Sequence, residues 1–122
     1  MPMGYSFVEL RPFMERRSEF FATDDDFPEF QRVLAEAPER GDVIPGCGGM
    51  RKVRWRDERR GKGKRGGCGV VYVHCPPPRG SEGGLIYLVD AFGKNEKEDL
   101  SAHDRKVLMG VAQALRAAAE RV

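Results

Sequence analysis

Two rhythms of apolar and polar residues run through the chain. Ser6-Phe7-Val8-Glu9-Leu10 is short, rich in strand formers and partly alternating, which predicts a strand that Pro12 breaks. Phe13, Arg16, Arg17, Phe20 and Phe21 recur at helical intervals and predict a short helix. Phe27, Phe30, Val33, Leu34 and Ala37 then form one apolar face of a helix over 25–37, stopped before Pro38. Thr23-Asp24-Asp25-Asp26 supplies candidate caps and carboxylates for its positive end.

A turn at Glu39-Arg40-Gly41-Asp42 and a glycine loop, Pro45-Gly46-Cys47-Gly48-Gly49, separate these helices from β-prone chain. Met50 to Trp55 alternates imperfectly, with Met50, Val53 and Trp55 apolar and Arg51, Lys52 and Arg54 basic. Gly69 to Cys75 and Leu85 to Phe92 are β-prone runs, and the polar connector after Pro76-Pro77-Pro78 predicts a hairpin. Ser101 with Asp104 resembles a capping box, and Val107, Leu108, Val111, Leu115 and Ala118 follow as one helical face. The expected fold is α+β: a small, mainly antiparallel sheet of three to four strands carrying two N-terminal helices and a C-terminal helix.

Composition narrows the class. At 122 residues the chain is the length of one domain, 1–122, with one modest core. No apolar run approaches the ~18 residues of a membrane helix, so no membrane partner is expected. The opening Met-Pro-Met-Gly-Tyr-Ser lacks the basic-then-apolar order of a signal peptide, and a cytoplasmic location is the expectation. Cys47, Cys68 and Cys75 are odd in number and lack Cys-x-x-Cys spacing, which argues against a disulfide scaffold or zinc ribbon. His74 and Cys75, adjacent in a strand, would point to opposite faces, which disfavours a metal site. Cys68, among glycines and cations, is readable as a favoured thiolate or as an ordinary thiol.

Charge changes the picture more. The overall +2 conceals a net −5 over 1–50, +7 over 51–67 and zero over 68–122. Charge so segregated points to a polyanionic partner, although a solvated charge run is the plainer reading. Gly61-Lys62-Gly63-Lys64-Arg65-Gly66 spells G-x-G-x-x-G, but it precedes a strand rather than opening a helix, so it is no dinucleotide fingerprint. It reads as a cationic loop whose glycines let the backbone approach phosphates. Lys52, Arg54 and Arg56 would share one face of the preceding strand. Trp55 and Tyr72 are candidate stacking surfaces for bases, with core packing the plainer reading of Trp55.

Gly41-Asp42-Val43-Ile44, Gly48-Gly49-Met50-Arg51-Lys52-Val53-Arg54 and Gly61 to Gly67, followed by Val70-Val71-Tyr72, Phe92-Gly93-Lys94-Asn95-Glu96 and Asp99-Leu100-Ser101, resemble the HigB-like branch of RelE-type toxins within the RelE/ParE superfamily. The resemblance spans about residues 24–118 and keeps the motif order. It implies a RelE-like domain and the toxin of a type II toxin–antitoxin system. Such a toxin is an mRNA interferase, an endoribonuclease that cuts mRNA in the ribosomal A site and so inhibits translation. The implied reaction uses no metal or cofactor. The implied partner is a cognate antitoxin, often with a helix-turn-helix DNA-binding domain.

By this resemblance Lys62, Lys64, Arg65 and Lys94 are the candidates for phosphate contact and proton transfer. Arg51, Lys52 and Arg54 would supply RNA-binding charge. Relatives carry Arg where this chain has Gly69, and often Tyr where it has Phe92. Gly69 is expected to tolerate Arg with its side chain in solvent. An alternative is a degenerate, non-catalytic relative that binds RNA or a protein partner. The acidic start of the helix over 25–37, with the C-terminal helix, is the expected side for an antitoxin.

Overall fold

The computed structural model describes residues 4–55, 67–93 and 100–121. Five strands form one sheet: β1 (Tyr5–Glu9), β2 (Asp42–Val43), β3 (Arg51–Trp55), β4 (Cys68–Cys75) and β5 (Gly84–Gly93). Their spatial order is β1-β5-β4-β3-β2. All pairs are antiparallel except β1 with β5, where Tyr5 stands beside Gly84 and Glu9 beside Leu88. The hairpin expected of the two β-prone runs is the β4–β5 pair. One strand more than expected is present, because Asp42–Val43 pairs with Lys52 and Arg51. Two residues are too few to leave an alternation in the sequence.

Alternation on β4 divides the core into two layers. Val70 and Tyr72 join Ile86 and Leu88 on one face, under Phe13 of α1 (Arg11–Phe20) and Phe30 and Leu34 of α2 (Asp26–Glu36). Val71, Val73 and Cys75 join Tyr87 and Val89 on the other, under Ala112 of α3 (Ala102–Glu120). A bulge between Val71 and Tyr72 lets Val89 and the paired Asp90 both follow Val71 to that second face. Since α2 and α3 cover opposite faces, they do not form the common surface expected of them.

Local chemistry explains the helix limits. Ser101 and Asp104 complete the capping box: the Ser101 hydroxyl accepts from the Asp104 N–H at 3.0 Å, and the carboxylate accepts from the Ser101 N–H at 3.1 Å. At α2 the expected side-chain cap is absent. Buried Asp26 instead accepts the Thr23 N–H at 3.1 Å, closing the turn before the helix. On α3, Leu108, Val111 and Leu115 turn inward as expected, but Val107 and Ala118 are exposed and Ala112 is the buried position. A helix lying over a sheet buries a narrow stripe, so residues at the margin of a five-residue face fall outside it.

The loop between β2 and β3 turns through Gly46, Gly48 and Gly49, all at positive φ. Two α3 side chains hold it: Arg105 Nη1 donates to the Pro45 carbonyl and Arg116 Nη1 to that of Gly48. No helix among the described residues is long and apolar enough to cross a membrane.

Candidate nucleic-acid interface

Strand β3 sorts the basic residues by face. Val53 and Trp55 pack into the α1–α2 core, and Trp55 meets the Phe30 ring edge-on at 5.3 Å between centroids. Lys52 and Arg54 therefore emerge on the other face. Cross-strand pairing extends them into two rows, because directly opposed residues share a face. Arg54 opposes Gly69, which opposes Phe92; Lys52 opposes Val71, which opposes Asp90. Arg54 is exposed, while Lys52, Asp90 and Phe92 are half-buried. The Lys52 ammonium stands 5.7 Å from the centre of the Phe92 ring.

Arg51, expected to supply RNA-binding charge beside Lys52 and Arg54, does not share their face. It lies on the α1–α2 face, where its Nη1 donates to the carbonyls of Glu39 at 3.1 Å and Gly41 at 2.7 Å. The Tyr72 hydroxyl beside it donates to the Pro38 carbonyl at 2.7 Å and accepts from the Gly41 N–H at 3.0 Å. Together the two side chains fasten the turn from α2 to β2. Tyr72, one expected stacking surface, is 0% exposed and unavailable to a base, and Trp55, the other, is partly buried against Phe30.

Gly69 also departs from expectation. It is buried rather than open, because the Phe92 ring lies across it. A Cβ on Gly69 would stand 2.8 Å from Cε2 and 3.1 Å from Cζ of that ring, closer than carbon atoms pack. Gly69 and the aromatic side chain are thus one local arrangement. The sequence carried a signal for it, a glycine inside a strand, which often marks close approach of another group.

Lys62, Lys64, Arg65 and Lys94 lie outside the described residues, as does Arg56. Their points of attachment are nevertheless fixed. Trp55, Cys68 and Gly93 form the last cross-strand row of β3, β4 and β5. Trp55, Gly67 and Gly93, the described residues next to these segments in sequence, stand at or beside that one end of the sheet, next to the row of Arg54.

The cysteines offer no chemistry there. Cys47, Cys68 and Cys75 are free and buried. Burial pushes the Cys68 thiol up to about 12, which excludes the thiolate reading. His74 and Cys75 do point to opposite faces, and no three potential metal ligands converge among the described residues. A depression of about 580 Å³ opens at the far end of the sheet, lined by Cys75, Pro76, Pro78, Leu85, Arg116 and Glu120. Its arginine already serves the Gly48 carbonyl.

No model of a known protein family matches this chain.

Proposed function

We propose that this protein is a RelE-type toxin of the HigB-like branch, the mRNA-cleaving member of a type II toxin–antitoxin pair, acting in the cytoplasm on mRNA in the ribosomal A site. One observation carries the reading. Lys52 and Arg54 share a sheet face at the end where both lysine-bearing segments are attached. The motif order of the sequence supplies the family.

The chemistry asks little beyond cations. The 2′-hydroxyl of one nucleotide attacks the adjacent phosphorus, and the bond to the 5′-oxygen of the next nucleotide breaks. A base takes the hydroxyl proton, an acid protonates the departing oxygen, and fixed positive charge stabilises the crowded phosphorane. Arg54 is a donor for that charge. Lys62, Lys64, Arg65 and Lys94 are the candidates for the remaining contacts, and a lysine among cations loses its proton more readily than one alone. A cognate antitoxin, of helix-turn-helix type in this reading, silences the protein.

A second reading is favoured by Gly69 and Phe92. The place where relatives carry an arginine has neither charge nor space, and the neighbouring hydroxyl is gone. Loss of one preorganised donor typically costs ~10²–10³ in rate. The alternative is therefore a non-catalytic relative that still binds RNA or a protein partner.

Cleavage of mRNA on purified ribosomes, mapped by primer extension, separates the two. Cuts in A-site codons that vanish in the Lys62→Ala/Lys64→Ala/Arg65→Ala variant support the nuclease. RNA binding without cuts leaves the second reading. Absence of both removes both RNA readings.

A further inference from the structure

Helix α3 is apolar over more of its surface than the sheet covers. Ala112 is its buried residue, and Leu108, Val111, Leu115 and Ala119 pack beside it on the second core layer. A second line runs roughly a third of a turn away, at about 100° per residue: Asp104, Val107, Val111, Ala114, Ala118 and Arg121. Its steps alternate between three and four residues, the spacing that keeps one line of side chains against a neighbouring helix. This line is open. Val107 is 51% exposed, Ala114 and Ala118 are exposed, and a Cβ on the adjoining Gly110 would meet no described atom of another element within 4 Å. Val111 alone belongs to both lines and is half-buried.

The order of side chains along this line is its own complement when reversed. Take a two-fold axis between Ala112 and Gln113, with a second copy of α3 running antiparallel. Asp104 then meets Arg121 of the second copy, Val107 meets its Ala118, and Val111 meets its Ala114. Each apolar layer sets one branched side chain against one small one, so the helices approach closely with their volumes matched. Each outer layer sets an exposed carboxylate against an exposed guanidinium. A parallel pair would oppose Asp104 to Asp104 and Arg121 to Arg121. Between its two ends the line carries no charge, which suits another apolar helix and not a polyanion.

We propose that α3 is a self-association helix, pairing antiparallel with α3 of a second copy along Val107, Val111, Ala114 and Ala118. This goes beyond the reading above and does not rest on it. A single helix pair is a small interface, near or below the ~1,200 Å² of the smallest stable complexes, so the dimer is weak and forms in the micromolar range.

Sedimentation of the full chain from roughly 5 to 500 µM should show monomer passing into dimer. Ala114→Lys places an ammonium in the layer with Val111 of the second copy. It should weaken the dimer by at least about tenfold and leave the unfolding midpoint of the dilute monomer unchanged. Gln113→Lys, one residue along and off the line, should leave dimerisation as it is. The register is read by mixing Val107→Cys with Ala118→Cys under a mild oxidant, since Cys47, Cys68 and Cys75 are buried. The mixed disulfide should form much faster than the self-linked dimer of either variant. Self-linked dimers forming as fast as the mixed one overturn the antiparallel pairing. A monomer over the whole concentration range, or a dimer as tight in Ala114→Lys as in the parent, overturns the α3 interface. Should Ala114→Lys fail to fold, the parent's sedimentation and the mixed disulfide decide. RNA binding and cleavage stand or fall separately from each of these results.

Discussion

The hydroxyl of Tyr5 stands 2.7 Å from Nε2 of His74, although β5 runs between their strands. The Tyr5 ring crosses above Gly84, where a Cβ would lie 2.6 Å from its Cε1. Burial holds His74 below its ordinary value of 6.5, opposed by Glu39 and assisted by Arg51 and Arg116. The unfolded chain therefore takes up the proton first as pH falls. The stability tied to neutral His74 is complete above the unfolded value and is lost as pH drops from about 6.5 toward the lower folded value. Urea midpoints measured from pH 7.5 to 5 should fall on acidification in the parent and less in His74→Asn. Equal losses in both would remove His74 as the cause.

Gly69 and Phe92 should behave as a coupled pair. Gly69→Ala forces the ring aside, and overpacking of this kind costs about 1–3 kcal/mol, offset by roughly 0.5–1 kcal/mol from replacing a strand glycine. In a Phe92→Leu background the cost should shrink. Gly69→Arg should restore a phosphate contact only by displacing the ring, so its effect on cleavage depends on residue 92. Additive free energies in urea titrations of the double-mutant cycle would show that the two side chains do not compete.

Arg51 and its neighbours on β3 should separate by assay. Arg54→Gln should lower the log–log salt slope of RNA binding by about 0.7 with little change in unfolding midpoint. Arg51→Gln should do the reverse, because its partners are the Glu39 and Gly41 carbonyls. A reduced salt slope in Arg51→Gln would return it to the interface.

Tyr72→Phe removes one donor and one acceptor from the turn after α2 and strands the Gly41 N–H and Pro38 carbonyl. Leaving such groups unpaired costs about 1–3 kcal/mol each when buried, so a loss of about 2–3 kcal/mol is expected. A variant as stable as the parent would mean that water replaces the hydroxyl without penalty.

The thiols should be silent in the folded protein. A disulfide exchange reagent at pH 8 should label none of Cys47, Cys68 and Cys75 rapidly, and all three after guanidinium unfolding. Cys68→Ser should leave any RNA cleavage in place. Fast native labelling of Cys68 would contradict its burial.

What the sequence made legible was periodic and local. The capping box at Ser101, the apolar spacing of Phe27, Phe30 and Leu34, and the β-prone run through Val70 to Cys75 each announce an element within a few residues. The β2 strand exists only because β3 pairs with it. Arg51 shares a run of cations with Lys52, yet strand alternation sends it to the other face and into the α2–β2 turn. Phe92 read as a lost hydroxyl, and its contact with Gly69 depends on the β4–β5 register, which no local pattern fixes. The lysine loop was plain as charge, but charge alone does not orient it.

The parallel pairing of β1 with β5 sets an order of assembly. Synthesis releases Tyr5–Glu9 well before the strand that must receive it, Gly84–Gly93. Closing so long a loop is slow in entropy terms, so β1 and the following α1, which also packs on β5, join late. Until then the outer edge of β5 presents bare backbone to any extended segment, including the β1 of a neighbouring nascent copy. Strand β1 is made before its partner and settles after it, and the half-built sheet is most open to exchange in that interval.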